Sequence, residues 1–532
     1  MKVVLLGRVA TMDAAGATFD SGAVYVDGQA IAAVGGAGQP PPDGFEGAPR
    51  IDTQGTIFPG LIELHNHLSY DALPMWRVPK LFTNRNQWQS NSDYTSKVSG
   101  PMGVIARSND PHVLAALARY VETKCLLGGV TSSQGISLKG DHLETYYHGA
   151  LRVVDDPADH LFPRASTHIP DVAATDWTSF KKTVDKASCL LLHLSEGLDA
   201  KARDAFLALQ QGGRWAIGPA LAGIHCAALQ LADFQVLAAH GGSMIWSPFS
   251  NLMLYGGTSR VKDARAAGVK VALGSDWSPS GSKNLLNELK IAKAVNDAQG
   301  LGLSDRDIVA MATSSPAAIV KWDKLVGVLA PGRRADLTVI RAGAGLDPYA
   351  ALIAARETDV VLVMIDGRPV VGAPALMAAL GAMGETLQVG GLPRVIDYGP
   401  GDPRTPFMTF AEARAALADA LRRIPTLLAD EQAGHGVIHA LSPNAAAPHL
   451  RLALDEQHLG GFALRPRLPL HGAPTGPDAS PVMAAAAATH PVLAPIDIDP
   501  VTVVDDPHYA ANLRGQANIP APVQAALLAY YS

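Results

Sequence analysis

From Pro59 onward the chain alternates short apolar runs with helical segments, and this alternation restricts its fold more than any other feature. Strands are expected at 61–67, 129–132, 151–154, 164–169, 189–194, 220–226, 243–247 and 270–274. Helices are expected between them at 111–127, 175–186, 200–211, 229–240 and 258–267, the last stopped by Gly268. Eight such units over roughly 260 residues are the expected size of a (β/α)₈ barrel. Two further helices follow at 304–313 and 316–322. Ser304 and Asp307 there fit a capping box, and Pro316 fits a first turn.

Residues 1–58 form a strand meander, with Asp27-Gly28 as a hairpin turn. Strands return at 335–340 and 360–365, and the simplest packing joins both flanks into one small β-domain. The expected organisation is 1–58 and 324–372 as the two parts of that β-domain, 59–323 as the barrel, and 373–532 as a C-terminal extension of unassigned role. Within the extension only 409–424 has a convincing amphipathic pattern. His435, His439, His449, His458, His471, His490 and His508 are scattered through it and are read as structural or surface groups.

A hydrophobic content of 48% with 17% charged residues describes a globular chain with a large core. The net charge of −6 provides no basic footprint for nucleic acid. The longest apolar stretch, 479–496, is broken by Pro481, His490, Pro491 and Pro495, so no membrane span is expected. Cys125, Cys189 and Cys226 are too few for a disulfide framework and fit buried thiols in a reducing compartment. The expected setting is cytoplasmic, with a small-molecule substrate and neither nucleic acid nor membrane as partner. A homo-oligomer stays open.

Polar side chains at the C-terminal ends of barrel strands are where chemistry is expected. His65 and His67 end the first strand, and residues two apart in a strand share a face. Bringing two imidazoles together at the end of an apolar strand is costly unless something binds them. The fifth strand ends in His193, with Glu196 three residues on; the sixth ends in His225 and the eighth in Asp276. Taken singly, each has an ordinary reading: a core histidine, or an aspartate capping the next helix. The set of four imidazoles and two carboxylates does not.

The chain resembles the metal-dependent amidohydrolase superfamily, and within it the branch of cytosine and guanine deaminases and triazine hydrolases. The resemblance rests on Pro59-Gly-Leu-Ile-Glu-Leu-His-Asn-His-Leu68, His193-Leu-Ser-Glu196, Ser247-Pro-Phe-Ser-Asn-Leu252, Gly268-Val-Lys-Val-Ala-Leu-Gly-Ser-Asp276 and Gly327-Val-Leu-Ala-Pro-Gly-Arg-Arg-Ala-Asp336. These occur in order over about residues 1–372 and leave the extension uncovered. The resemblance implies an α/β fold: a (β/α)₈ TIM-like barrel with a small β-sandwich formed by both flanks. It also implies His65, His67, His193 and Asp276 as metal ligands. Three imidazoles and a carboxylate suit Zn²⁺ with a position open for water, and Fe²⁺ accepts the same donors.

Binuclear relatives bridge two metals through a carboxylated lysine on the fourth strand. The run 164–169 has no lysine, and Lys181, Lys182 and Lys186 fall in the following helix, so one metal is expected. A bound divalent metal lowers the pKa of water to roughly 7, giving hydroxide that attacks a trigonal carbon bearing nitrogen. Glu196 is placed to take the proton and pass it to the leaving nitrogen. His225 would polarise substrate or hold the hydroxide, and Asp276 could accept a proton as well as bind metal. The expected activity is hydrolysis of a non-peptide carbon–nitrogen bond, by amide hydrolysis or cyclic amidine deamination. A non-catalytic scaffold and a binuclear enzyme are the alternatives.

The segment from 69 to 109 is long for a loop and carries Tyr70, Trp76, Phe82, Trp88 and Tyr94. It reads either as a pocket wall for a flat substrate or as a loop packed by its own aromatics. Trp76, Trp88, Trp277 and Ser278 are candidate substrate contacts. Asn251 is another, though a turn role also suits it, and Arg85 and Arg107 could meet an acidic group.

Overall fold

A computed structural model describes residues 2–108, 110–136, 138–139, 149–168, 176–341, 345–400, 408–432, 451–452 and 493–532. His435, His439, His449, His458, His471 and His490, most of the apolar stretch 479–496, and the start of the helix expected at 175–186 lie outside the described residues.

The expected eight strands are present and run parallel in two groups. Leu61–Glu63, Val130–Ser133 and Arg152–Val153 form one; Ala165–His168, Cys189–Leu194, Leu221–His225, Ser243–Trp246 and Lys270–Leu273 form the other, each pairing with its sequence neighbour. Ala165 N–H donates to Val154 O at 3.1 Å, and an isolated parallel bridge joins Asn66 to Asp276, past the ends of the first and last strands. Gly274 permits that meeting, because a Cβ there would lie 2.4 Å from His65 Cβ. Cys189–Leu194, Leu221–His225 and Ser243–Trp246 are buried on both faces, as parallel strands covered by helices must be.

Both chain flanks enter one nine-stranded sheet. Its order is Glu385–Val389, Leu392–Ile396, Arg368–Gly372, Val360–Ile365, Leu337–Arg341, Arg50–Pro59, Lys2–Ala10, Thr18–Asp27 and Ala30–Gly36. The strand-rich stretch thus runs beyond Gly372, where the compositional shift suggested an end. Arg50–Pro59 leads into Leu61–Glu63 after one residue, which ties the sheet directly to the strand that carries His65.

Two helices near the site went unseen in the sequence pattern. Pro248–Tyr255 starts inside Ser-Pro-Phe-Ser-Asn, a run that reads as a turn, and Gly256 ends it at φ +68°. Leu285–Gln299 is capped by Asn284 and buries Asn287, Glu288 and Lys290 along with its leucines, which obscures its apolar stripe. The segment after the first strand is not an open loop but a chain of short helices including Arg85–Gln89 and Gly100–Arg107.

The described C-terminal residues fasten that segment down. Gln516 receives the Val78 N–H at 3.2 Å and donates to Trp76 O at 2.9 Å, while Asn518 donates to Met253 O at 2.7 Å. The helix Ala521–Tyr530 packs on Leu285–Gln299, with Asn287 donating to Tyr531 Oη at 3.1 Å. No helix among the described residues is long and apolar enough to cross a membrane. Cys125, Cys189 and Cys226 are buried free thiols.

Candidate metal centre

At the C-terminal rim of these strands, His65, His67, His193, His225, Glu196 and Asp276 converge, and none is more than 7% exposed. The facing donor atoms are closely spaced. His65 Nε2 lies 3.2 Å from His193 Nε2 and 3.3 Å from Asp276 Oδ1, and His67 Nε2 lies 3.4 Å from the same carboxylate oxygen. A first-row divalent ion with bonds of about 2.0–2.1 Å holds its donors about 3–3.5 Å apart. The four side chains therefore stand at the spacing one cation needs.

Protonation points the same way. Burial, then the charges of His225 and His67, pushes the His65 pKa well below its usual value. Burial, then the other three rings and Arg85, does the same to His193. Both rings are neutral at pH 7 and offer lone pairs. Ser247 Oγ lies 2.7 Å from His65 Nδ1; a proton there, donated to the hydroxyl, leaves Nε2 free to coordinate. Clustered neutral imidazoles and a carboxylate are a donor set for a divalent cation and an expensive arrangement without one.

His225 differs from the other three. Thr258 and Ser259 hydroxyls donate to Asn251 Oδ1 at 3.2 and 3.4 Å, which directs Asn251 Nδ2 onto His225 Nδ1 at 3.1 Å. Burial, then His67 and Arg85, keeps the His225 pKa well below normal. In the neutral ring Nδ1 accepts, so Nε2 carries the proton and faces Glu196 Oε2 at 3.7 Å. A protonated Nε2 is a donor, not a metal ligand. Asn251 is thus an orienting partner of His225 as well as part of a helix start.

Glu196 has two differentiated oxygens. Oε1 accepts from Tyr255 Oη at 2.8 Å, and that hydroxyl accepts from Trp88 Nε1 at 2.8 Å. Oε2 faces His225 and, at 3.7 Å, the guanidinium of Arg85. Arg85 is 7% exposed; it is a buried partner of this carboxylate rather than a solvated residue. Ser195, His225, Cys226 and Asp276 all have φ between +52° and +68°, backbone strain of about 1–3 kcal/mol each that gathers where function demands it.

Trp277 packs 5.3 Å from the His67 ring and meets Trp88 and Tyr94 at 6.0 and 6.2 Å. Ser278 turns away from the cluster toward Asp71, to which its N–H donates at 2.7 Å. Trp76 sits one layer back, against Phe82 and Tyr94, with its N–H donated to Asp93. A cavity of about 20 Å³ lined by Asn84, Arg85, Asn86, Glu196, Lys201 and Ala202 reaches Glu196 from outside. A larger one of about 590 Å³, beside Arg8, Asp20, Asp52 and Gln54, lies on the nine-stranded sheet and contains none of these groups. Chemistry, not size, locates the site. Sequence reasoning missed Tyr255 and the pairing of Arg85, neither of which stands at a strand end, and gave no role to Ser247, which follows directly on the strand Ser243–Trp246.

Fold and cluster together give a mixed α/β arrangement of parallel strands with a buried, histidine-rich donor set that could hold a divalent metal. Residues 216–370 match the Amidohydrolase family. A 5-methylthioadenosine/S-adenosylhomocysteine deaminase of Syntrophobacter fumaroxidans is 26% identical over 410 residues, covering 68% of this chain and 91% of the relative. An atrazine chlorohydrolase of Arthrobacter aurescens, solved with zinc, superposes with a TM-score of 0.56 at 22% identity, over 69% of this chain and 95% of its own. A zinc-bound adenosine deaminase of Xanthomonas campestris gives 0.54 at 17% identity, over 80% and 98%. The chain thus contains a match to the amidohydrolase family and is similar in sequence to deaminases and in fold to a triazine hydrolase, in line with its motifs. These similarities support metal-dependent hydrolysis of carbon–nitrogen bonds.

Proposed function

We propose that the chain is a mononuclear zinc deaminase that replaces the exocyclic amino group of a small, planar adenine-type heterocycle by hydroxyl. The name of the Syntrophobacter relative and the wall formed by Trp88, Tyr94 and Trp277 support the substrate class. The observation that carries the reading is Glu196 Oε2, set beside the His65, His67, His193 and Asp276 cluster and facing His225 Nε2 at 3.7 Å.

His65, His67, His193 and Asp276 would hold the ion. When bound, it supplies a Lewis acid that lowers the pKa of water and polarises the carbon under attack. Glu196 moves the proton: Tyr255 fixes Oε1, which leaves Oε2 to take a proton from water and deliver it to the leaving nitrogen. His225 donates from Nε2 to the substrate, held in that tautomer by Asn251. Burial of the whole constellation excludes bulk water and strengthens each of these interactions. The fourth strand, Ala165–His168, has no lysine to bridge a second ion, which favours one metal.

The finer architecture belongs to the same proposal. The eight strands close as a (β/α)₈ barrel, the flanking sheet folds as a β-sandwich, and the buried thiols suit a cytoplasmic protein. The test is ammonia release from 5′-methylthioadenosine and adenosine, set against carboxylate and amine release from simple amides, with Glu196→Gln as control. Release of amine and carboxylate alone would overturn the deaminase reading.

A further inference from the structure

Behind the metal cluster lies a second buried group of charges, and its central member comes from the far end of the chain. Asp499 is 1% exposed. Its Oδ2 accepts from Lys124 Nζ at 2.7 Å, its Oδ1 accepts from Lys283 Nζ, its N–H donates to Ala72 O at 2.9 Å, and its O accepts from Tyr120 Oη. Lys283 also pairs with Asp506 at 3.0 Å. An ammonium has three N–H donors. Those of Lys124 go to Asp499, to Asp71 O at 2.7 Å and to Ser278 Oγ. Ser278 is two residues from Asp276 and one from Trp277, and Asp71 Oδ1 holds its N–H as well. Lys124 therefore pins together the segment after the first strand, the turn after the eighth and the C-terminal region.

We propose that Asp499 is a positioning residue for the active site. By fixing Lys124 against Ser278 and Asp71, it sets the Asp276–Trp277–Ser278 turn, so the C-terminal segment completes a site whose ligands lie on the barrel strands. This rests on the metal-hydrolase reading of that site. With the carboxylate removed, two buried lysines share one fewer acceptor, and Lys124 is free to shift toward Asp71 and release Ser278. A displacement of about 1 Å at a catalytic turn costs about 10²-fold in rate.

Co²⁺ loading of the full-length chain supplies a test independent of substrate, because the visible bands of the bound ion report the geometry around Asp276. Asp499→Asn is expected to fold and bind Co²⁺, but with shifted bands, and to lose about 10²-fold in kcat with little change in KM. Asp499→Glu is expected to restore part of both. Asp506→Asn, which touches Lys283 but not Lys124, is expected to lower stability while wild-type bands and kcat persist. Should Asp499→Asn not fold, the charge-balanced pair Lys124→Gln with Asp499→Asn takes its place, with the same shifted bands expected. Wild-type bands and kcat in the Asp499 variants, or equal losses in Asp506→Asn, would overturn the assignment alone. A wild-type chain that takes up no Co²⁺ would overturn the metal reading and this inference with it.

Discussion

The molecule buries two polar constellations side by side, and they are built on opposite rules. Around Asp499 the charges are matched: two lysines and the carboxylates of Asp499 and Asp506 meet at hydrogen-bond distance, and burial costs are met by pairing. Around His65 the partners of the rings are mainly uncharged, with Ser247 on His65 and Asn251 on His225. Imidazole rings face one another and one carboxylate at 3.2–3.4 Å, with strained backbone beneath Asp276 and His225. The first constellation is complete within the protein; the second is shaped for an ion. A buried polar cluster thus declares its purpose by what it leaves unbalanced.

The largest expected effect breaks the unbalanced side. His193→Ala removes one of four donors and is expected to abolish both stoichiometric metal and turnover, while circular dichroism stays that of a folded protein. Next is Glu196→Gln, which keeps the metal but removes the proton carrier; kcat should fall about 10²–10⁴-fold. Metal content at the wild-type level with that loss separates proton transfer from binding, and full turnover would sink the assignment.

The balanced side should respond in stability instead. Lys283→Met takes the lysine partner from buried Asp506 and one of two from Asp499, and is expected to cost about 3–5 kcal/mol in urea unfolding. A loss below about 1 kcal/mol would show the pairs to be worth no more than exposed ones. Glu288 tests the rule on a lone carboxyl. Burial pushes its pKa up to about 8, against the hydrogen bonds from Ser282 and the Phe249 N–H. A raised folded pKa means that the native state holds the proton more tightly. Its contribution is full below about pH 4.5 and is lost as pH rises through about 8. Glu288→Gln should therefore flatten the decline in stability between those limits. If both proteins lose stability in parallel across that range, Glu288 is not the group responsible.

The smallest expected effect is at the outer support of the cluster. Ser247→Ala removes the partner of His65 Nδ1 and should weaken metal affinity about 10–100-fold. Competition with a chelator measures it, and unchanged affinity would mean that Ser247 does not orient the ring.

What the sequence made legible follows from distance along the chain. His65, His67, His193, His225 and Asp276 each stand at or just past the end of an apolar strand, so a local pattern exposes them, and the parallel strand order follows from eight short apolar runs. The matched cluster had no such signal, since Lys124 and Asp499 stand 375 residues apart and each alone resembles a solvated charge. Leu285–Gln299 was hidden because its inward face mixes leucines with Asn287, Glu288 and Lys290, whose partners come from elsewhere. Arg85 was equally unreadable, because only folding turns it from solvent to Glu196.

Metal analysis of the purified full-length chain, beside His193→Ala and Glu196→Gln, bears most directly on whether the histidine cluster is an ion site. The expected result is one zinc or iron per chain in the wild type and in Glu196→Gln, and none in His193→Ala. A folded wild-type chain without stoichiometric metal, or a His193→Ala chain that retains it, would contradict the assignment.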